Sequence, residues 1–284
     1  MIDIIIIGAG PAGISASLYA KRANNNVLIL YNGESNLEKA EKIDNYYGFK
    51  NGISGNELYN IGIKQAENIG VKVKKEEVLE IEQITNGFEV KTTDNLYQSK
   101  AIIIATGNKK IKPNIKGIQE FEGKGISYCA ICDGFFYRNK NIAVIGNGKF
   151  AVNEANILKN IAKNVTILTN GEQMNADSNF EINTMKIKHL SGGLRVQEIV
   201  FDDNSTIEVD GVFIALGEAS GIDFAKKIGI LTNNDNIVVD DKMQTNVKGI
   251  FSCGNTNGGL LQVSKAVYEG AVAGLSAANY LSFN

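Results

Sequence analysis

The sequence is poor in the residues that build disulfide scaffolds and metal centres. Its 284 residues include three cysteines and one histidine. A zinc site needs four ligands, and beyond one close cysteine pair the chain offers only Cys253 and His189, so we expect no metal. Three cysteines are also too few for a disulfide framework and suit a reducing compartment in which thiols do chemistry. We therefore expect a cytoplasmic protein.

An excess of positive charge and a long apolar run are also lacking. The formal net charge is −2 and the isoelectric point is near 5.7, whereas a nucleic-acid-binding surface is normally basic. No stretch approaches the ~20 apolar residues that span a bilayer. The N-terminal run has neither the length nor the basic flank of a signal peptide. We predict no nucleic-acid partner and no membrane partner.

Two prolines stand against thirty glycines, and many of the glycines follow short apolar runs. Such runs occur at residues 4–10, 102–107, 142–148, 213–217 and 250–254. Apolar runs that end in glycine turns, with helical segments between them, are typical of βαβ units and parallel sheets. Because the pattern begins at residue 2 and again at residue 141, we predict an α/β protein of two doubly wound, Rossmann-like, three-layer domains.

The first glycine-rich loop has the dinucleotide-binding pattern. Gly8, Gly10 and Gly13 form G-x-G-x-x-G after a buried strand and before a helix. The glycines permit the turn, the approach of a pyrophosphate and close helix–strand packing, and the helix N-terminus attracts phosphate. The acid that usually holds a ribose is not evident, because Tyr31 ends the second strand and Glu34 lies beyond an Asn-Gly turn. The ribose contact stays unassigned.

A second glycine-rich loop, at 146–151, matches the same pattern but is a poor nucleotide site. Lys149 and Phe150 are expected to place two bulky side chains where a pyrophosphate would approach. The next strand ends in Thr169, Asn170 and Gly171, where an NADP site needs arginines and an NAD site needs an acid. Two missing charge-assisted hydrogen bonds cost about 10²- to 10⁴-fold in affinity. We predict that NADPH binds weakly here, if it uses other contacts.

Cys129 and Cys132 form a Cys-x-x-Cys pair that is followed by Asp133. Haem attachment needs a histidine after the second cysteine, and zinc would need further ligands. A redox dithiol gives all three residues a function. One cysteine can attack a partner disulfide, the other can resolve the mixed disulfide, and the acid can carry a proton. Cys253 is predicted to be a packing residue, and His189 a solvated or hydrogen-bonded side chain at a strand end.

Several segments together resemble the low-molecular-weight thioredoxin reductases along nearly the whole chain. They are GAGPAG at 8–13, IDNYYGF at 43–49 with the following ISGNEL, ATG at 105–107, YCAICDGFFYRNK at 128–140 and GNTNGGLLQVSKAVYEGAVAG at 254–274. The dithiol segment is the most specific, because family members carry C-A-T-C-D-G there. The resemblance implies FAD bound by a discontinuous outer domain at 1–110 and 244–284, and the dithiol carried on a domain inserted at 111–243. It also implies thioredoxin as a partner and a homodimer.

The resemblance assigns roles to individual residues. Cys132 matches the cysteine that faces the flavin, Cys129 the one that attacks thioredoxin, and Asp133 the proton donor. Residues that match positions near FAD are Gly8, Gly10, Pro11, Ala12 and Gly13 in the pyrophosphate loop, Asn45 and Gln262 at the isoalloxazine ring, and Val78, Ala105, Thr106, Gly107, Gly254, Asn255 and Val263 elsewhere along the cofactor.

The departures from the family pattern cluster at the nucleotide site. The G-G-G-x-[ST]-A loop is GNGKFA here, and Thr169–Gly171 replaces the H-R-R triplet that grips a 2′-phosphate. Asn255 replaces an aspartate, which FAD binding should tolerate. The chain is thus similar to the ferredoxin-dependent flavin thioredoxin reductases, and reduced ferredoxin is the expected donor. The alternatives are an NADPH-dependent thioredoxin reductase, a dithiol oxidase that uses oxygen, and a flavin-binding interaction module.

Ferredoxins are usually acidic, so a basic docking patch is expected. The candidate residues are Lys109, Lys110, Lys112 and Lys116. A dithiol that is reduced at a flavin must also reach a second protein, so we expect domain motion. The expected hinges are Lys110–Lys112 and Gln244–Asn246.

Overall fold

The computed structural model describes residues 1–33, 35–107 and 113–283, and the chain divides into two compact units. The first unit is Met1–Lys109 with Ser220–Asn284, and the second is Lys110–Ala219. The first unit is thus discontinuous in sequence, and the second is inserted in it.

The first part of the chain builds a sheet from short apolar runs. Its elements are β1 (Ile2–Ile7), α1 (Pro11–Arg22), β2 (Val27–Tyr31), a 3-10 helix (Asn36–Lys39), α2 (Gly55–Asn68), β3 (Lys72–Lys75), β4 (Val78–Ile84), β5 (Gly87–Thr92) and β6 (Leu96–Ile104). The strand order is β3-β2-β1-β6-β5-β4, with β1 parallel to both of its neighbours. The side chains of Ile4 to Ile7 are all buried, as expected of a central strand that is covered on both faces.

The second unit contains a parallel sheet and a smaller antiparallel one. Its elements are α3 (Ile118–Phe121), β7 (Ile126–Ser127), α4 (Ala130–Asp133), a 3-10 helix (Gly134–Tyr137), β8 (Asn141–Ile145), α5 (Lys149–Lys159), β9 (Asn164–Leu168), β10 (Glu181–Asn183), β11 (Ile187–Gly192), β12 (Val196–Phe201), β13 (Thr206–Glu208) and β14 (Gly211–Ile214). The larger sheet has the order β10-β9-β8-β14-β7 and parallel pairing throughout. The smaller sheet is β11-β12-β13. The cysteine pair therefore follows β7, an edge strand of the parallel sheet.

The last part of the chain completes the first unit. Its elements are α6 (Gly221–Lys227), β15 (Thr232–Asn233), β16 (Asn236–Ile237), β17 (Ile250–Ser252), a 3-10 helix (Gly254–Asn257) and α7 (Val263–Phe283). β17 pairs in parallel with β6. Helix α7 packs closely on α1, because a Cβ at Gly270 would lie 2.2 Å from the carbonyl oxygen of Ala12, and one at Gly274 would lie 2.3 Å from that of Ala16.

The chain returns to the first unit at Ser220 rather than at residue 244, the start predicted from the sequence. The Ser220 hydroxyl accepts a hydrogen bond from the N–H of Asp223 and caps α6. The next residue, Gly221, packs inside the first unit so closely that a Cβ there would lie 2.6 Å from Oγ1 of Thr106. This packing places α6 and the segment after it in the first unit.

The hinge expected at Gln244–Asn246 therefore lies inside the first unit and not at a crossing between units. Asn246 Nδ2 donates a hydrogen bond of 2.9 Å to the carbonyl oxygen of Gly229, and Asn246 Oδ1 accepts one of 2.8 Å from the N–H of Leu231. The other expected hinge, Lys110–Lys112, lies outside the described residues.

The predicted α/β fold with Rossmann-like parallel sheets is confirmed, although β5 pairs antiparallel with both β4 and β6 in the first sheet. The five glycine-ended apolar runs correspond to β1, β6, β8, β14 and β17. Among the helices of the described residues, none has the length and apolar character needed to cross a bilayer. In the same residues, no cluster of three or more His, Cys, Asp or Glu side chains is placed to hold a metal ion.

Candidate functional site

The loop between β1 and α1 leaves the first turn of α1 open to an anion. Gly8 has a φ angle of 112°, and a Cβ there would lie 2.3 Å from the carbonyl oxygen of Ala105, so the position requires glycine. Gly10 is the N-cap of α1 and offers no side-chain acceptor to the N–H groups of the first turn, and Pro11 begins the helix. These N–H groups and the helix dipole favour a bound phosphate.

Close packing on one side of this loop contrasts with open space on the other. A Cβ at Gly13 would lie 1.9 Å from the carbonyl oxygen of Gly8, so this glycine lets α1 approach β1. A Cβ at Gly10 would have Ser35 Oγ as its nearest neighbour, at 3.8 Å. The loop therefore has uncapped N–H groups and room beside Gly10, which fits the pyrophosphate of a dinucleotide.

Asn45 and Gln262, both predicted to lie at the isoalloxazine ring, contact each other. Asn45 Nδ2 donates a hydrogen bond of 3.0 Å to Gln262 Oε1 across 217 residues of sequence. Gln262 immediately precedes α7, whose first residue is Val263. Both amide side chains are exposed.

The turn after β6 is tied to the segment that follows β17. Thr256 Oγ1 donates a hydrogen bond of 3.0 Å to the carbonyl oxygen of Gly107. The N–H of Gly254 donates to the Glu269 carboxylate at 2.8 Å, and Lys265 Nζ donates to the carbonyl oxygen of Gly254 at 2.9 Å. Lys265 and Glu269 also form an ion pair of 3.1 Å. This pair was not predicted from the sequence, although the i,i+4 spacing of Lys265 and Glu269 on α7 is a local signal for it.

The remaining predicted FAD residues lie in different parts of the first unit. Ala105 is buried, and its N–H donates to the carbonyl oxygen of Ile7 at 2.8 Å, so it follows β6 directly beside the glycine loop. Val78 is buried at the start of β4, and Asn255 is half-buried in the 3-10 helix after β17.

The three predicted dithiol residues lie together on the short helix α4, with Cys129 as its N-cap and Asp133 as its last residue. Cys129 and Cys132 are joined by a disulfide bond. Cys129 is buried at 2% exposure, whereas Cys132 is exposed. Ser127 Oγ donates a hydrogen bond of 2.6 Å to the Asp133 carboxylate and accepts one of 3.1 Å from the N–H of Cys129. Ser127 therefore links the acid to the cysteine backbone, a role that sequence reasoning missed.

A second acid, which is buried, also reaches the dithiol segment. Glu154, on α5, is 1% exposed, and its Oε2 accepts a hydrogen bond of 2.9 Å from the N–H of Ala130, the residue that follows Cys129. No local sequence signal connects the two, because they are 24 residues apart.

The second glycine-rich loop is bound by its own chain. The carbonyl oxygen of Asn147 accepts a hydrogen bond of 2.7 Å from the N–H of Asn175, and Asn147 Nδ2 donates one of 3.2 Å to the carbonyl oxygen of Gln173. Lys149 is exposed, but Phe150 is 2% exposed. The expectation that Phe150 stands at the open side of the loop is wrong, because its ring is needed inside the unit.

The residues at the end of β9 are used in an internal turn. Thr169 is 1% exposed, and its Oγ1 donates a hydrogen bond of 2.6 Å to the carbonyl oxygen of Glu172. Asn170 has a φ angle of 53°, and its Oδ1 accepts a hydrogen bond of 2.8 Å from the N–H of Ile187. Gly171 continues the turn with a φ angle of 87°. These three positions therefore present no cationic side chain and bind the chain itself.

The remaining candidate residues are the third cysteine, the single histidine and the lysines of the predicted docking patch. Cys253 is fully buried, and burial, with a smaller contribution from Glu269, raises the pKa of its thiol. His189 is half-buried within β11 rather than at a strand end. Lys116 is exposed, whereas Lys109, Lys110, Lys112 and Glu34 lie outside the described residues.

Comparison with known proteins decides the family. Residues 2–270 match the model of the pyridine nucleotide-disulphide oxidoreductases. The chain is 34% identical to a thioredoxin reductase of Borreliella burgdorferi over 98% of its own length and 92% of that protein. The chain belongs to the thioredoxin reductase family of pyridine nucleotide-disulphide oxidoreductases.

Two solved structures extend this likeness to the fold. The atypical thioredoxin reductase TRi from Desulfovibrio vulgaris Hildenborough is 36% identical with a TM-score of 0.95, covering 100% of this chain and 99% of its own. A ferredoxin-flavin thioredoxin reductase from Clostridium acetobutylicum is 31% identical with a TM-score of 0.75, and the match covers 100% of this chain and 99% of that protein.

Membership of this family makes the chain a flavin-dependent disulfide oxidoreductase with FAD as its cofactor. The open first turn of α1, the glycines of its loop and the space beside Gly10 fit that cofactor. Cys129 and Cys132 form a disulfide with the Cys-x-x-Cys spacing, an arrangement suited to thiol–disulfide exchange.

Proposed function

We propose that the chain reduces thioredoxin through Cys129 and Cys132, with electrons from reduced ferredoxin rather than from NADPH. Cys129, Cys132 and Asp133 lie together after β7, and the three thioredoxin reductases named above are similar over nearly the whole chain. A reducing cytoplasm and a homodimer remain part of the proposal.

The proposed reaction transfers two electrons and two protons to the disulfide of thioredoxin. The Cys129–Cys132 disulfide takes up two electrons and two protons and becomes a dithiol; FAD held at the first turn of α1 would supply those two electrons from the donor. Cys129, as thiolate, then attacks a sulfur of the thioredoxin disulfide and forms a mixed disulfide. Cys132 attacks Cys129 in that bond, which restores the Cys129–Cys132 disulfide and releases thioredoxin as a dithiol.

The accessible sulfur and the nearby acid suit these roles. Cys132 is the exposed member of the pair and is the sulfur that a flavin could approach. Cys129 is buried and has to become accessible before it can attack a second protein. In this proposal, Asp133, which accepts a 2.6 Å hydrogen bond from Ser127, gives a proton to the leaving thioredoxin sulfur.

The choice of ferredoxin over NADPH as donor rests on one observation. In the second unit, the residues at the nucleotide-binding positions form hydrogen bonds with their own chain. The end of β9 is committed to hydrogen bonds with Glu172 and Ile187, and the glycine loop is bonded to Gln173 and Asn175. A 2′-phosphate would find no arginine among these residues, and a pyrophosphate would compete with bonds that the chain already makes.

An NADPH-dependent thioredoxin reductase is the second candidate. It is favoured by the N-terminus of α5, where Gly148 is the N-cap and no side chain caps the helix, as in the first unit. This helix could still attract a phosphate, so both donors have to be compared on the same protein.

The test is an anaerobic rapid-mixing experiment on the FAD-loaded protein, followed at the flavin absorption band near 450 nm. Electrochemically reduced ferredoxin should bleach the flavin within seconds, whereas a large excess of NADPH or NADH should not. Adding oxidised thioredoxin should then restore the band and produce thioredoxin thiols. Rapid bleaching by NADPH would favour the second candidate instead.

The same protein under air tests the dithiol-oxidase alternative. A dithiol oxidase would form hydrogen peroxide from a small dithiol without thioredoxin. The matched control is Cys129→Ser, in which ferredoxin should still bleach the flavin but thioredoxin thiols should not form. Full thioredoxin turnover by Cys129→Ser would overturn the dithiol mechanism.

Lys116 tests the docking part of the proposal. It is exposed on the second unit, and reversing its charge with Lys116→Glu should raise the KM for acidic ferredoxin several-fold at low salt, with little effect at high salt. Lys163→Glu, on an exposed lysine of the same unit, is the matched control. Equal effects of the two variants would remove Lys116 from the docking surface.

A further inference from the structure

We propose that Glu154 is a positioning residue for the dithiol, which holds the peptide between Cys129 and Ala130 from helix α5. This inference rests on the proposed dithiol chemistry, but its test needs neither thioredoxin nor an electron donor. A failure of the inference is therefore distinguishable from a failure of the proposed function.

The Glu154 carboxyl group is buried and directed at the dithiol segment. It is 1% exposed, and Oε2 accepts the N–H of Ala130 at 2.9 Å. Burying an acid away from water costs free energy unless hydrogen bonds compensate for it. A glutamate retained inside the unit and bonded to the peptide after Cys129 therefore indicates a specific role for that bond.

Cys129 is held through the N–H groups on both of its sides. Its own N–H donates to Ser127 Oγ at 3.1 Å, and the following N–H donates to Glu154. The side chains that accept these bonds come from β7 and α5, which are separate elements of the second unit. The backbone of Cys129 is thereby fixed to the body of the unit.

The fixed backbone keeps the two sulfur atoms in different environments. Cys129 is 2% exposed and its Sγ accepts the N–H of Cys132 at 3.2 Å, whereas Cys132 is exposed. We expect this difference to persist after reduction, because neither the Ser127 bond nor the Glu154 bond involves the disulfide. Glu154 thus helps to keep the Cys129 thiol less accessible than the Cys132 thiol as long as thioredoxin is not bound.

The experiment measures the labelling of each cysteine in the reduced protein. The FAD-loaded protein is reduced with dithiothreitol, freed of reductant under argon, and pulsed with iodoacetamide, and each cysteine is quantified by peptide mass spectrometry. In the unmodified chain, Cys132 should be labelled roughly tenfold faster than Cys129. Glu154→Met, similar in size but without an acceptor, should raise the labelling rate of Cys129 roughly tenfold, as expected for one lost buried hydrogen bond.

Two control variants separate positioning from a general loss of stability. Glu154→Gln keeps an oxygen that can accept the Ala130 N–H, so its labelling ratio should stay within about twofold of the unmodified chain. Asn156→Ala changes an exposed residue on the same helix and should leave the ratio unchanged. An unchanged ratio in a folded, FAD-loaded Glu154→Met protein would overturn the proposal.

Amide hydrogen exchange provides a measurement that does not depend on how Glu154→Met folds. In the unmodified protein, the Ala130 amide should exchange at least tenfold more slowly than in Glu154→Met, or, if that variant does not fold, more slowly than the neighbouring Ile131 amide. An Ala130 amide that exchanges as fast as that of Ile131 would show that the bond to Glu154 does not persist in solution, and the proposal would fail.

Discussion

Asn45 donates a 3.0 Å hydrogen bond to Gln262, which joins two loops of the first unit that are 217 residues apart. One loop precedes α2 and the other precedes α7. Each amide lies in a different sequence motif, and each motif by itself predicts a residue at the isoalloxazine ring. Their contact gives that assignment a test that uses both residues together.

Replacing either amide should weaken FAD binding without unfolding the protein. Asn45→Ala and Gln262→Ala are each expected to raise the Kd for FAD roughly 2- to 10-fold, since each removes one exposed polar contact. The loss of FAD-binding free energy in the double variant should be smaller than the sum of the losses in the two single variants, because the residues contact each other. Fluorescence titration of the apoprotein with FAD measures all three. Asn60→Ala, which breaks an exposed amide pair with Asn56 in the same unit, is the control; equal effects there would argue against the assignment.

Gly10→Ala and Gly13→Ala should separate cofactor binding from folding. A Cβ at Gly10 has open space in the protein alone, so Gly10→Ala should leave the Tm of the apoprotein nearly unchanged and still weaken FAD binding. A Cβ at Gly13 would lie 1.9 Å from the carbonyl oxygen of Gly8, so Gly13→Ala should lower the stability of the apoprotein itself by several kcal/mol. Thermal melts with and without FAD distinguish these outcomes, and an equal loss of Tm in both variants would contradict the loop geometry.

Cys253 should make the first unit less stable at alkaline pH. Burial raises the pKa of its thiol above the unfolded value of about 8.5. The folded state therefore keeps a proton that the unfolded state releases, so stability is full below pH ~8.5 and falls above it, by at most about 1.4 kcal/mol per pH unit. Urea unfolding of the oxidised protein between pH 7 and 10 should show this slope, and Cys253→Ala should be less steep. Parallel curves for the two proteins would exclude the thiol as the cause.

Asp133→Asn should slow the release of reduced thioredoxin. The acid is held by Ser127 close to the cysteines, and losing a general acid commonly lowers the rate about 10²- to 10⁴-fold. We expect kcat to fall while the KM for thioredoxin changes little, because the carboxyl group acts on a proton rather than on docking. Asp177→Asn, on an exposed acid of the same unit, is the matched control. A raised KM with an unchanged kcat would make Asp133 a docking residue.

Much of the fold follows from local sequence patterns. Buried isoleucine runs followed by glycine predict the central strands, because β1 and β8 are covered on both faces and lead directly into phosphate-loop turns. The glycine loop at Gly8, Gly10 and Gly13 is also predictable from its local pattern. At Gly8 and Gly13 a Cβ would clash with the backbone, so only glycine fits.

The features that sequence reasoning missed depend on contacts between distant elements. The boundary at Ser220 is set by the packing of Gly221 on Thr106, which no local pattern reveals. Glu154 meets Ala130 only because α5 and the dithiol segment lie side by side in the folded unit. Phe150 was misplaced for the same reason, since the direction of its side chain depends on the core of the second unit.

The close packing of α7 on α1 has a consequence for synthesis on the ribosome. The glycines at 270 and 274 bring the last helix against Ala12 and Ala16, near the very start of the chain. Helix α1 therefore stays uncovered on this side until α7 has been synthesised. The second unit, Lys110–Ala219, is synthesised before α7. The second unit should therefore fold while the first is still incomplete, so that a nascent chain can complete its FAD site only after α7 has emerged.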